Sequence, residues 1–169
     1  GILVGFVVSL FRLGIEKIGE QVVHLYQTFH EKPFWMIPWF LFSLVLAYLL
    51  GRLIKSEPAI KGSGIPQVEG QLQGQLEIHW FPVLWKKFIG GILAISPGLF
   101  LGREGPSIQL GAVVGQGYSQ WWQSTKSEEK ILISSGASAG LAAAFNAPIA
   151  GLLFVLEEVQ DRKSTRLNS

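Results

Sequence analysis

Glu104 is the side chain whose setting in this sequence most demands a chemical reason. It stands in Gly102-Arg103-Glu104-Gly105-Pro106, between charge-free stretches from Phe88 to Gly102 and from Gly105 to Thr125. A carboxylate at the centre of a membrane-spanning helix costs about 2.5–3.5 kcal/mol on insertion scales, so something must be gained by keeping it. Two gains are available. Arg103 is adjacent and offers a structural ion pair. Alternatively, the carboxylate occupies an anion site when ionised and leaves it when protonated.

A second segment, Gly62-Ser63-Gly64-Ile65-Pro66, has the same form: glycines, then a proline leading into a helix. Glycine permits dihedrals that other residues resist, and proline is preorganised for the first helical position. Each loop should therefore present unpaired N–H groups at the positive end of a helix dipole, which is a ready anion site. Non-helical backbone at membrane depth is tolerated only where it is buried in protein or lines a cavity. Two such ends converging inside a bilayer would bind an anion without a full positive charge. That suits transport, because a lysine in the same place would hold the anion too tightly to release it.

Other chemistries lack their residues. A phosphate-binding loop needs Gly-x-x-x-x-Gly-Lys-Ser/Thr and a dinucleotide turn needs Gly-x-Gly-x-x-Gly after a strand; Gly62-Ser63-Gly64-Ile65-Pro66-Gln67 fails at the third glycine. There are no cysteines, and His24, His30 and His79 show no ligand spacing, so no metal or cofactor is expected. No Ser-His or His-Glu-x-x-His set is present, which argues against a hydrolytic membrane enzyme. Glu157 and Glu158 are adjacent, so on a helix they point about 100° apart and cannot share a substrate; a solvated helix end is the plain reading. The net charge of +2 is scattered, with no basic stripe for nucleic acid.

The elements that must position these loops are helices in lipid. Charged residues are 15% of the chain, against about 25% in soluble domains, and the mean hydropathy is +0.35. Charge-free runs cover Pro33 to Gly51, Phe88 to Gly102, Gly105 to Thr125 and Ile131 to Leu156. The first and third are long enough to span a bilayer core, which takes about 20 residues, and the second is short. Asn146-Ala147-Pro148 divides the fourth into helices over about 128–145 and 148–159. A further helix covers residues 1 to about 30, and another runs from about Pro38 to Lys55. Arg52, Lys55 and Lys61 mark the cytoplasmic side. The polar stretch from Gly70 to Trp80 reads as an interfacial loop. Trp80, Trp85, Trp121 and Trp122 fall at expected helix ends, as an aromatic belt or as core packing. Gly111, Gly115, Gly136 and Gly140 recur at four-residue spacing, which lets helices approach closely.

With these residues in view, the chain resembles the CLC family of chloride/proton antiporters and chloride channels. The resemblance rests on Gly62-Ser63-Gly64-Ile65-Pro66, on Gly102-Arg103-Glu104-Gly105-Pro106, and on the run from Gly140 through Asn146-Ala147-Pro148 to Glu157-Glu158. It extends from the first helix to about Gln160. It implies an all-α, polytopic membrane protein with broken and tilted helices, of which residues 1–160 form most of the first half of an inverted repeat. It implies a multi-pass protein of a bacterial cell membrane, a homodimer when complete, and chloride and protons as the transported ions. By the same resemblance, Ser63 and Gly64 belong to the central chloride site, and Ser63 favours chloride over nitrate. Arg103, Glu104 and Gly105 frame the outer anion position. Glu104 is the gate and outer proton carrier, and Glu158 is the inner proton carrier. Glu158 favours a voltage- or pH-influenced antiporter over a passive channel, in which an apolar residue is usual there. The start without Met leads to the expectation of an interrupted chain, and residues 161–169 depart from the family pattern and are expected to be a non-native tail.

Overall fold

The computed structural model describes residues 1–98, 102–153, 156 and 157. Every regular element among them is helical. Glu158 and residues 161–169 lie outside the described residues, as does the far end of the helix expected to reach 159.

The first helix, α1, spans Ile2–Glu31 and buries Val4, Val8, Phe11, Ile15, Val22 and Phe29. These recur at three-, four- and seven-residue intervals, so they form one stripe. Its other faces are also apolar, with Phe6, Leu10 and Leu13 exposed. A short 3-10 turn over Pro33–Trp35 leads into α2, Met36–Ser56, none of whose residues is buried. Among the described residues, Pro33–Ser56 is the one helical stretch that is long and apolar enough to cross a membrane by itself.

After a second 3-10 turn at Pro58–Ile60 come the short α3, Ile65–Leu72, and then α4, Trp80–Ile95. The interfacial loop expected from Gly70 therefore begins later, because Gly70, Gln71 and Leu72 are buried in the last turn of α3. Helix α4 crosses α1 and α2 through glycines. A side chain at Gly91 would meet the Phe11 ring at 2.9 Å, and one at Gly90 would meet Leu53 at 3.0 Å.

Helices α5, Glu104–Trp121, and α6, Lys126–Phe145, form the most extensive contact in the structure. Gly111, Gly115, Gly136 and Gly140 lie backbone against backbone, with no room for a Cβ at any of them. The four-residue spacing read from the sequence is this contact. Thr125 and Glu128 close a capping box at the start of α6, which therefore begins two residues earlier than the expected 128. At its other end Asn146 takes a left-handed conformation (φ 52°, ψ 32°), and the Ala147 amide bonds to Ala142 O at 3.0 Å. Residues 148–153 are helical again and fold back on α6, where Ser138 Oγ donates to Gly151 O at 2.5 Å.

The tryptophans divide between the two readings. Trp121 and Trp122 are 77% and 70% exposed at the end of α5, where an interfacial belt residue would sit. Trp80 opens α4 but packs on Gly117. Trp85 is a correction: it lies inside α4 and not at a helix end.

Candidate functional site

The Ser63 loop owes its shape to two glycines in the left-handed region, Gly62 (φ 72°) and Gly64 (φ 87°). Gly64 caps α3, whose first backbone bond runs from Val68 N to Gly64 O at 3.1 Å. The amides ahead of Val68 are thus outside the helical ladder, and Ser63 Oγ accepts from Ile65 N at 3.4 Å. Pro66 is the second residue of α3 and not the first, a position where the missing N–H is equally harmless.

Four successive carbonyls leading into this loop are each held by a side chain. Gln109 Nε2 of α5 donates to Ala59 O at 2.7 Å, and Gln67 Nε2 donates to Lys61 O at 3.0 Å. Lys87 Nζ of α4 donates to Ile60 O at 2.8 Å and to Gly62 O at 2.7 Å. With these carbonyls engaged, the partial negative charge of the loop is neutralised locally, next to the amides at the start of α3. Gln109 is fully buried and sets its own carbonyl oxygen against Gly64.

The Glu104 loop is built differently. Arg103 is the N-cap of α5 and Glu104 its first residue, so Pro106 stands third, again within the turn that needs no amide. Ser107 donates to Arg103 O twice, from Oγ at 2.7 Å and from its amide at 3.2 Å. The Glu104 carboxylate folds back along this turn, since a side chain at Gly102 would meet Oε2 at 2.5 Å. Arg103 pairs with Glu16 of α1 at 3.5 Å and not with Glu104, so the structural Arg103–Glu104 ion pair is absent.

The two loops touch. A Cβ at Gly105 would lie 2.6 Å from Ser63 O and 2.7 Å from Ser63 Cβ, so only glycine admits this approach. Gly62, Ser63, Lys87, Gly102 and Pro106 line one cavity of about 310 Å³, completed by Lys86, Ile60 and apolar residues of α2 and α4. Glu157 is exposed in its helix.

Lys87 is the residue that sequence reasoning missed. The charge-free run begins at Phe88, immediately after Lys87, a lysine that is 4% exposed in an apolar helix. A lysine inside an apolar run is the available signal, because a buried cation must have partners. The partners, two carbonyls 25 and 27 residues away, were not legible.

Fold and site together define an all-helical membrane protein organised around broken helices. The chain belongs to the voltage gated chloride channel family, whose pattern matches residues 40–169. It is 38% identical over 164 residues to H(+)/Cl(-) exchange transporters ClcA from Vibrio cholerae serotype O1 strains, covering 95% of this chain and 35% of theirs. It is also similar to the crystal structure of a slow cyanobacterial Cl-/H+ antiporter, with a TM-score of 0.80 and 37% identity, over 88% of this chain and 36% of that one. The chain thus spans about a third of the length of the relatives it matches.

Proposed function

We propose that this chain supplies one part of the ion pathway of a proton-coupled chloride exchanger in a bacterial cell membrane, acting as a homodimer when complete. The observation that carries the reading is the contact between Ser63 and Gly105, which puts the N-termini of α3 and α5 side by side with Glu104 in the first turn of α5. The amides of Gly64, Glu104 and Gly105 at these helix starts supply partial positive charge without a mobile counter-ion, so chloride is held and released in a dehydrated site. Ser63 adds a neutral hydroxyl donor. The Glu104 carboxylate competes with chloride for the same amides; on protonation it withdraws, opening the anion route and loading a proton in one event. Glu158 receives protons on the inner side, and Arg52, Lys55 and Lys61 face the cytoplasm. The printed descriptions of the relatives as exchange transporters and an antiporter support exchange over passive conduction.

The test is paired chloride and proton flux in liposomes, using the full-length protein that carries this segment. Glu104→Gln keeps the shape of the gate and removes its titration, so chloride should flow without coupled protons and without dependence on external pH. Coupling retained in the variant sinks the gate assignment. A wild-type protein that moves chloride and no protons is instead a passive channel.

A further inference from the structure

Arg103 immediately precedes the proposed gate, yet its guanidinium is turned away from Glu104 and held elsewhere. Its Nη1 lies 3.5 Å from Glu16 Oε1, and the same oxygen lies 3.7 Å from Arg12 Nη2, one turn earlier on α1. Arg12 in turn donates through Nη1 to Ala143 O at 3.2 Å and to Asn146 Oδ1 at 3.1 Å, at the break that ends α6. One turn of α1 therefore joins the residue before Glu104 to the left-handed cap before Pro148.

Among the described residues, Lys86 of α4, which lines the same cavity as Gly102 and Pro106, donates to Ser56 Oγ at 3.1 Å. Lys87 of α4 is committed to two carbonyls of the Ser63 loop. Glu69 is the one charged residue of α3. The charged residues of α6 lie in its first turns, from Lys126 to Lys130, while its opposite end packs by Ser107. Of the described cations on these elements, Arg103, adjacent to Glu104 in the chain, is the one placed to reach its carboxylate by a change of rotamer. An arginine paired with Glu104 would stabilise the ionised form and oppose the protonation on which the gate depends.

We propose that Glu16 is a positioning residue: it holds the Arg103 guanidinium away from the Glu104 carboxylate, and through Arg12 it ties that arrangement to the Asn146 break. The idea rests on the reading of Glu104 as the gate. The Glu16 pairs are partly exposed, with side-chain exposures of 24%, 40% and 48% for Arg12, Arg103 and Glu16, so their contribution to stability is small. Their effect is on where a charge points.

The experiment compares full-length wild-type protein with Glu16→Gln and Glu16→Asp in liposomes, following chloride flux against external pH. Glu16→Gln frees Arg103, so the profile should move to lower pH, with flux falling about fivefold at the pH where the wild type is half-maximal. Glu16→Asp keeps the carboxylate and should restore the wild-type profile. Adding Arg103→Met to Glu16→Gln removes the released cation and should also reverse the shift. An unchanged profile in Glu16→Gln, or a shift that persists without Arg103, overturns the proposal; Glu16→Ala gives the same reading if the glutamine variant folds poorly. Wild-type chloride flux without coupled protons would defeat the gate reading instead. The pairing is then read from a thermal double-mutant cycle of Glu16→Gln and Arg103→Met, where additive shifts overturn it.

Discussion

Lys87 shows how a single residue can shape the proposed anion site without presenting its charge to the anion. A lysine facing the ion would hold it tightly; here the ammonium is turned onto Ile60 O and Gly62 O, and the loop beyond offers only amides and a hydroxyl. Lys87→Met keeps the length of the side chain and leaves both carbonyls unpaired. Hydrogen bonds to a charged group contribute about 1.5–3 kcal/mol each, and relief of a buried charge offsets part of that. We expect a net loss of about 2 kcal/mol in a thermal melt of the full-length protein, with weaker chloride binding by calorimetry. An unchanged melt and an unchanged affinity would mean that the clamp has no part in holding the loop. Glu104 was legible as a residue in need of a reason, because carboxylates are scarce between apolar runs. That Arg103 ignores it in favour of Glu16 was not, since the pair joins residues 87 positions apart in sequence.

At the scale of elements, the α5–α6 pair explains why hydropathy alone identifies so little of this fold. Both helices are rich in glycine, alanine and serine, so neither is apolar enough to pass as a span. They do not need to be, because each is solvated by the other. Thirteen residues of α5 are buried, whereas α2, the one helix among the described residues that does pass, buries none and is therefore left to lipid or to the rest of the protein. Gly111→Ala should be severe, since its Cβ would press on the backbone carbonyl of Gly136, which cannot move aside as a side chain can. Overpacking of this kind costs about 1–3 kcal/mol. Gly5 is also helical but faces open space, so Gly5→Ala should be neutral or stabilising by about 0.5–1 kcal/mol. Detergent melts of the two variants check the contrast, and equal effects would place the α5–α6 contact elsewhere.

For the whole molecule, helix length fits a bilayer unevenly. At 1.5 Å per residue, the 21 residues of α2 extend about 31 Å, close to the roughly 30 Å hydrocarbon core. The 30 residues of α1 extend about 45 Å, so α1 must tilt or emerge into water. The sequence has no cysteine, which makes single-cysteine labelling clean. In the full-length protein in membranes, a cysteine at Leu44, mid-way along α2, should resist a membrane-impermeant thiol reagent, and one at Glu57, just past its end, should react. Equal labelling would remove α2 from the bilayer.

What the sequence determined by itself was local or periodic: an all-helical chain in lipid, the break at Asn146-Ala147-Pro148, two glycine loops opening helices, and a glycine row suited to close packing. These follow from the backbone freedom of glycine, the missing amide of proline and the spacing of apolar residues, all of which act within a few positions. Tertiary structure alone decided which groups meet. Ser63 against Gly105, Lys87 on the carbonyls of residues 60 and 62, and Arg103 on Glu16 each bring together residues 25 to 87 positions apart. No local preference encodes such pairs, because their partners are chosen by how helices cross, and the crossings are set by where glycine lets one backbone approach another.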